Sequence, residues 1–563
     1  MIGGESILTT ARAKARVVAF ESSRIADLRE SRKKVRFVPA NLQYPTSTIV
    51  VSAALLLCCS TTLAQGTWNT LAADAARSAA TSQPFPSLAS PAWTCAKDEN
   101  NRAIAFVARA GVAVGLHFVY ATGSVNEPSG TTWKLFAIAR RTGAVAWSLQ
   151  IDSPQLESTA SPAIDHRTAT VIASGGSTLY GVALYQPTLR WSTTLDNPIV
   201  NASPVVARTW RGTGRLFITD YDGFGDSASL YSISIDPLSV ANPHQPGEIL
   251  WAAPIGASSG NSPTYDAAND RVFVSAVGLY AANPGQILAF PAHAPGDTSH
   301  VAPSPLWTFN NTSSVGFFGG IALDASGDAL YAATYGFYGG TTSGNIVRIR
   351  ASTGALQWTV GCNRSASIPI RLPSNRLALS TGIQGFGSLP SLQVFSSDSS
   401  SAALAWSSHT RTWSDANHNG VIDSGEFVPC GGWNTQPVYS SASDQLAVCG
   451  NDNVLRILDA SITSASSPFT VIQSASSISG SPAVAGSNLY AIGTGGLVAF
   501  GPAPALVDVN ADGVFDIEDL YAWEQSRGSR DVNGDGQITL ADRDLLSILL
   551  RANETQEQTE GRR

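Results

Sequence analysis

Between Ser87 and Gly501 the chain alternates. Short apolar runs rich in Val, Ile, Leu, Phe and Tyr are cut every few residues by Gly, Asn, Asp, Ser or Pro. The period of two places every second side chain on one face of a half-buried strand, and helical periodicity is absent throughout this region. The punctuation also repeats. A small-residue turn leads into Ser161-Pro162, Ser203-Pro204, Ser262-Pro263, Ile368-Pro369, Gln436-Pro437 and Ser481-Pro482. A strand of the type seen in Leu230-Tyr-Ser-Ile233 and Ile346-Val-Arg-Ile349 comes next, then a Trp-bearing strand after a turn. The Trp positions are 147, 191, 251, 307, 358 and 406, spaced by 44 to 60 residues, and each unit holds about four alternating runs. Beyond Gly501 the pattern changes, and Ile517–Glu524 and Leu540–Leu550 read as helices.

A four-stranded unit repeated radially is a blade of a β-propeller, a ring that removes most exposed sheet edges. Thr142-Gly143-Ala-Val-Ala-Trp147 and Thr353-Gly354-Ala-Leu-Gln-Trp358 resemble the blade signature of the quinoprotein-like (PQQ-like) propeller family, with Trp191, Trp251, Trp307 and Trp406 in degenerate copies. The resemblance implies an all-β, eight-bladed β-propeller over residues 65–501, or a seven-bladed one if a weaker repeat is an insertion. Six outer strands carry these Trp residues, Phe469-Thr-Val471 supplies a seventh, and the last repeat stops at Phe500 without one. Trp93 is the expected donor that closes the ring. The regular Trp residues are expected to dock neighbouring blades. Phe317-Phe318 and Tyr335-Gly-Phe337-Tyr338 lie in glycine-rich loops, either as sugar-stacking platforms or as a hydrophobic cluster.

The clearest chemistry lies near the C-terminus, where one twelve-residue pattern is written twice, 23 residues apart. Calcium takes six to eight oxygens, and a looping backbone supplies them from positions 1, 3, 5, 9 and 12, a carbonyl at 7, and a Gly at 6 for the sharp turn. The first copy offers Asp508, Asn510, Asp512, Val514 (carbonyl), Asp516 and Asp519; the second offers Asp531, Asn533, Asp535, Gln537 (carbonyl), Thr539 and Asp542. Loop followed directly by helix, twice, with Asp at position 12, resembles a type I dockerin over residues 502–552. This implies a small α-helical module with paired EF-hand-like calcium loops, docked to a cohesin-like protein or a cell-surface component. The cohesin-facing positions 10 and 11 fall on Ile517-Glu518 and Leu540-Ala541, where cellulosomal dockerins carry a Ser-Thr pair. A third loop, at 415–426, offers Asp415, Asn417, Asn419, Val421 (carbonyl), Asp423 and Glu426 inside the propeller's longest insertion. Three calcium sites are expected. Residues 553–563 read as a disordered tail.

Residues Ile49 to Cys59 form an apolar run too short to span a bilayer, after the basic Arg32, Lys33, Lys34 and Arg36 and before Thr62-Leu63-Ala64. Residues 1–64 therefore read as a signal peptide with a long N-terminal extension, cleaved near Ala64, and the mature chain as secreted or cell-surface. Cleavage removes nine of the 35 basic and four of the 42 acidic residues, moving the formal charge from −7 to −12. An acidic, sparsely charged surface excludes nucleic acid as a partner, and no integral membrane segment is expected. Four cysteines remain, Cys95, Cys362, Cys430 and Cys449; an exported chain permits them to pair, in three connectivities.

No catalyst is legible. The quinone-dependent alcohol dehydrogenases of the resembled family use a vicinal cysteine disulfide, but the one vicinal pair here, Cys58-Cys59, lies in the leader. There is no Cys-x-x-Cys-His, Gly-x-Ser-x-Gly or His-Glu-x-x-His, and no catalytic residue and no quinone are expected. His117 and His409 sit near strands; the other histidines fall in turn-like contexts. The expected function is a secreted, calcium-binding propeller that serves as a binding scaffold, plausibly in polysaccharide binding or breakdown. A polysaccharide-active enzyme on the same scaffold is the alternative, with a quinone-dependent dehydrogenase behind it.

Overall fold

In the computed structural model of the chain, residues 66–560 are described, apart from 157, 209–212, 224, 278–284, 294–299, 312–315, 337–343, 384–388, 414–416, 420, 422, 424–425, 427, 429, 462–468, 503–507, 511–514, 529 and 534–536. The leader, the metal candidates Asp415, Asp512, Val514 and Asp535, and the loop residues Phe337 and Tyr338 lie outside the described residues.

Eight sheets of at least four strands follow one another in chain order, so the ring has eight blades and the seven-bladed alternative is set aside. Within each repeat the strands that follow one another in sequence pair antiparallel, as tight turns between alternating runs demand. Blade 1 is built on the hairpin Phe118–Glu127 and Gly130–Ala139, with Val145–Gln150 outside it. Blades 2 to 6 are continuous four-stranded units. Blade 8 takes only three strands from its own repeat, ending at Gly496–Phe500, and its fourth is Trp93–Cys95, paired antiparallel with Trp93 opposite Ala499. The two ends of the propeller are thus held by one sheet.

The Thr-Gly-x-x-x-Trp spacing has a direct physical cause. Gly143 and Gly354 sit at φ +74° and +71°, and a Cβ there would stand 2.7 and 2.5 Å from the rings of Trp93 and Trp307. Each turn is therefore the socket for the Trp of the preceding blade. Trp93 Nε1–H donates to the Arg140 carbonyl (2.8 Å), Trp307 Nε1–H to Ala351 (3.1 Å) and Trp358 Nε1–H to Asp398 (3.0 Å), each across a blade boundary. The large apolar face of the indole is buried while its one polar atom is paired.

The Ser-Pro repeat has a cause of the same kind at the centre. Gly111 N–H donates to Ser161 Oγ (3.0 Å), Ser161 N–H to Ser203 Oγ (2.9 Å) and Ser203 N–H to Ser262 Oγ (2.9 Å). Where the serine is replaced, Ile368 N–H donates to Gln436 Oε1 (2.9 Å) and Gln436 N–H to Ser481 Oγ (3.2 Å). This belt joins the inner edges of successive blades.

The N-terminal segment crosses the inner strands in order. Trp68 exchanges hydrogen bonds with Val114 of blade 1, Asn69 accepts from Ile164 of blade 2, and Thr70 Oγ1 donates to Pro204 beside blade 3. Ala75 accepts from Tyr265, Ala76 from Leu323 and Ala79 from Tyr439, while Ala80–Thr81 pairs in parallel with Val438–Ser440 of blade 7. Arg77 is fully buried in this segment. Its guanidinium donates to the carbonyls of Pro263 (3.0 Å), Ser203 (2.8 Å) and Leu71 (2.8 Å) and to Thr70 Oγ1 (2.9 Å). Burial lowers its pKa to about 9 against the opposing field of Asp74.

Three features go beyond the sequence reading. The four cysteines are all free and buried, so none of the permitted disulfides forms; burial pushes the Cys95 thiol up to about 12. The helix beginning at Leu540 runs to Glu560, through most of the stretch read as a disordered tail, because no Gly or Pro interrupts it before Gly561. A single helical turn, Ser408–Arg411, follows blade 6, and Thr412–Trp413 then adds in parallel outside Phe469–Ser476 of blade 7.

Candidate metal loops and the central channel

The two C-terminal loops close in the same way. Asp519, at position 12 of the first, is fully buried; its Oδ1 accepts from Val509 N–H (2.6 Å) and Asn510 N–H (3.2 Å), and its Oδ2 from Asp516 N–H (3.0 Å). Asp542, at position 12 of the second, is also fully buried; its Oδ1 accepts from Val532 N–H (2.9 Å) and Asn533 N–H (3.1 Å), and its Oδ2 from Thr539 N–H (2.7 Å). Position 12 thus reaches back to positions 2, 3 and 9 in both copies. Position 9 doubles as the helix cap: Asp516 Oδ1 accepts from Glu518 N–H (2.8 Å) and Thr539 Oγ1 from Ala541 N–H (3.2 Å).

Among the described residues, no Lys or Arg pairs with either buried carboxylate. Each buried carboxylate is held by three backbone N–H groups, and with the other oxygens of its loop the donor set fits a hard divalent ion. Asp508, Asn510 and Asp531 are half-buried around these carboxylates, Asn533 is buried, and Gln537 is exposed.

The internal loop draws inward by a related pattern. Asn417 and Asn419 direct their Nδ2 to Asp423 Oδ2 (2.7 and 2.8 Å), and Asp423 N–H donates to Glu426 Oε2 (2.7 Å), again position 9 to position 12. The Asn417 and then Asn419 donors hold the Asp423 carboxyl below its usual range, against a small opposing effect of burial. Val421 is exposed, and its N–H donates to Asn419 Oδ1 (2.8 Å).

The C-terminal helices do not stand apart from the propeller. Val509, Phe515, Trp523, Val532, Leu545 and Leu546 share one hydrophobic cluster with Phe118, Tyr120 and Trp147 of blade 1 and Val171 and Val182 of blade 2. His117 Nε2–H donates to the Val532 carbonyl (2.5 Å), and Tyr185 OH to that of Asn533 (3.4 Å). Burial lowers the His117 pKa to about 4; the Val532 bond opposes the shift and Arg140 adds to it. On the outer side, Ile517 (46% exposed) and Leu540 (63%) occupy equivalent places, flanked by Glu518 and Ala541, which are also exposed.

At the channel, residues from every blade boundary, among them Arg109, Thr159, Asn201, Trp433 and Asn434, line a cavity of about 50 Å³. Arg109 Nη1 closes on Asn434 Oδ1 (2.9 Å). Phe318, Tyr335 and Trp433 pack together, with ring centroids 4.8 and 5.7 Å apart, and Phe317 is fully buried, so these aromatics form a hydrophobic cluster rather than an exposed stacking platform. Beside the N-terminal segment, a cleft of about 340 Å³ is lined by Asn69, Asp74, Asp165, His166, Arg208 and Tyr265. Its acids are engaged: Asp165 holds Arg208 through Nε (2.9 Å) and Nη2, and Asp74 accepts from Ser78 N–H and Oγ. The sequence pattern located the loops. It held no signal for the channel-crossing segment or for the seat of the C-terminal helices, because both are long-range.

No family model matches this sequence, and no curated protein matches it. Solved structures do. The quinohemoprotein alcohol dehydrogenase ADHIIG from Pseudomonas putida HK5 aligns with a TM-score of 0.51 at 11% identity, covering 82% of this chain and 79% of that one. BamB from Moraxella catarrhalis aligns at 0.44 and 16% identity, covering 69% and 92%. Sqt1 from Chaetomium thermophilum aligns at 0.49 and 12% identity, covering 72% and 97%. At these identities the likeness is one of fold, a β-propeller.

Proposed function

We propose that this chain is an exported, calcium-binding propeller that acts as a binding scaffold, with the C-terminal loop–helix pair as a dockerin-like attachment module. The observation that carries this reading is the matched closure of Asp519 and Asp542, two fully buried carboxylates making equivalent hydrogen bonds 23 residues apart. Asp508, Asn510, Asp512, Val514, Asp516 and Asp519 would hold one calcium. Asp531, Asn533, Asp535, Gln537, Thr539 and Asp542 would hold the second. The set from Asp415 to Glu426 would hold the third and stiffen the insertion. Bound calcium would supply positive charge to the closed loops. Ile517, Glu518, Leu540 and Ala541 would then face a cohesin-like or cell-surface partner through an apolar patch instead of hydroxyls.

Isothermal titration of chelator-treated protein is expected to report about three calcium ions, and a stoichiometry of one or none overturns the reading. A glycan-array screen run beside a polysaccharide depolymerisation assay separates scaffold from enzyme: binding without cleavage is expected, and turnover favours the polysaccharide-active alternative.

A further inference from the structure

Outside these loops, one cluster joins two neighbouring blades through loops that the repeat does not require. In blade 1 the third strand and the Trp-bearing strand are joined by a short turn, Arg140 to Ala144. In blade 3 the corresponding connection is expanded between Ser234 and Ile249, and in blade 4 between Pro291 and Trp307. The two expansions meet at three side chains, His244, Glu248 and His300, which offer one ligand atom each, all within 4.8 Å of one another.

The arrangement is held from behind. Glu248 Oε2 accepts from Gln245 N–H (2.8 Å), which leaves Oε1 facing both histidines, 2.9 Å from His244 Nδ1 and 3.5 Å from His300 Nε2. His300 Nδ1 lies 3.1 Å from the Ile249 carbonyl, which accepts only from an N–H, so Nδ1 carries a proton and Nε2 is the atom turned to the carboxylate. His244 is 5% exposed, and its Nε2 is buried with no hydrogen-bond partner among the described residues. The loop beneath it is rigid: the buried Asn242 donates through Nδ2 to the carbonyls of Asp236 (2.9 Å) and His244 (3.1 Å). His300 itself is held at φ +54°, an uncommon backbone for a residue with a Cβ.

We propose that His244, Glu248 and His300 form a binding site for a zinc-class divalent transition metal, with three protein ligands and solvent in the fourth position. Two imidazoles and a carboxylate are a donor set that zinc accepts, whereas calcium asks for oxygen alone. With the histidine nitrogens 2.9 and 3.5 Å from the carboxylate and all three ligand atoms within 4.8 Å, small rotamer adjustments would surround an ion at about 2.1 Å. The carbonyl behind His300 and the amide behind Glu248 are the outer partners that orient ligands. Bound metal would brace blade 3 against blade 4 at their outer rim. The exposed side of Glu248 and His300 leaves the ion open to solvent.

The test uses the untagged full chain, saturated with calcium so that the acidic loops are filled, and titrated with Co²⁺ while its visible absorption is followed. One equivalent is expected to bind with a low-coordinate spectrum, to be displaced by Zn²⁺, and to raise the melting temperature. His300→Ala, at an exposed loop position, and Glu248→Gln, an isosteric change at a half-buried one, should fold as wild type in chelator; each is expected to weaken Co²⁺ binding at least tenfold and to abolish the thermal shift. Absence of saturable binding below about 1 mM, or equal binding by wild type and His300→Ala, overturns the site and leaves a hydrogen-bonded His–Glu–His triad. Asp542→Asn should leave Co²⁺ binding unchanged, which separates this inference from the calcium reading.

Discussion

At the residue scale, the two signatures of the repeat prove to be contacts between blades rather than features within them. The glycine of each Thr-Gly turn is needed for its left-handed φ and because the previous blade's indole occupies the space of a Cβ. Gly354→Ala is therefore expected to cost about 1–3 kcal/mol, read as a lower denaturant midpoint. The loss should shrink in a Trp307→Ala background, where the clash is removed. If the two losses simply add, the socket interpretation is wrong. Arg77 carries a larger stake: Arg77→Met strands three carbonyls and a hydroxyl in the core, an expected cost of about 3 kcal/mol or more. Arg77→Lys should recover little of it, since an ammonium has fewer donors and no fork geometry. An unfolding midpoint unchanged in both variants would show that the channel segment contributes no stability.

At the element scale, the C-terminal helices have too little apolar surface to make a core alone and complete it on blades 1 and 2. Loss of calcium is therefore expected to loosen this seat as well as the loops. Asp542→Asn should remove protection from amide exchange in 508–550 and also expose the face around Phe118 and Trp147; exchange that rises in the tail alone would contradict the shared core. His117 lends this seat a pH dependence. Its pKa is about 4 when folded and about 6.5 when free, so its contribution is complete above pH 6.5 and is lost as pH falls from 6.5 through 4. Release of the tail, followed by proteolysis, is expected over that window. In His117→Gln the dependence should be shallower by up to about one proton.

At the scale of the whole molecule, the ring is closed twice near its N-terminus: by Trp93–Cys95 in blade 8 and by the segment from Trp68 to Thr81 across the inner strands. Deleting residues 65–95 is expected to lower the melting temperature and broaden the transition; an unchanged transition would refute closure as a source of stability. The pure protein supplied with quinone, calcium and alcohols or aldoses is expected to reduce no artificial dye, and turnover above a denatured control would place it among the dehydrogenases. Among the described residues, no helix is long and apolar enough to cross a membrane.

Local chemistry decided what could be read from the chain alone. Strand period, the eight Trp or aromatic outer strands, and the spacing of the calcium-type loops all depend on residues close in sequence, where geometry follows from side-chain type and offset. Even the donor for the eighth blade was legible, because a missing strand leaves a countable gap. The free state of Cys95, Cys362, Cys430 and Cys449, the route of residues 67–81 through the ring, the burial of Phe318 and Tyr335, and the seat of the C-terminal helices were not. Each depends on which surfaces meet across hundreds of residues, and periodicity carries no information about that. His244, Glu248 and His300 belong to the same class: unremarked turn residues in the sequence, they are brought together only when blades 3 and 4 stand side by side.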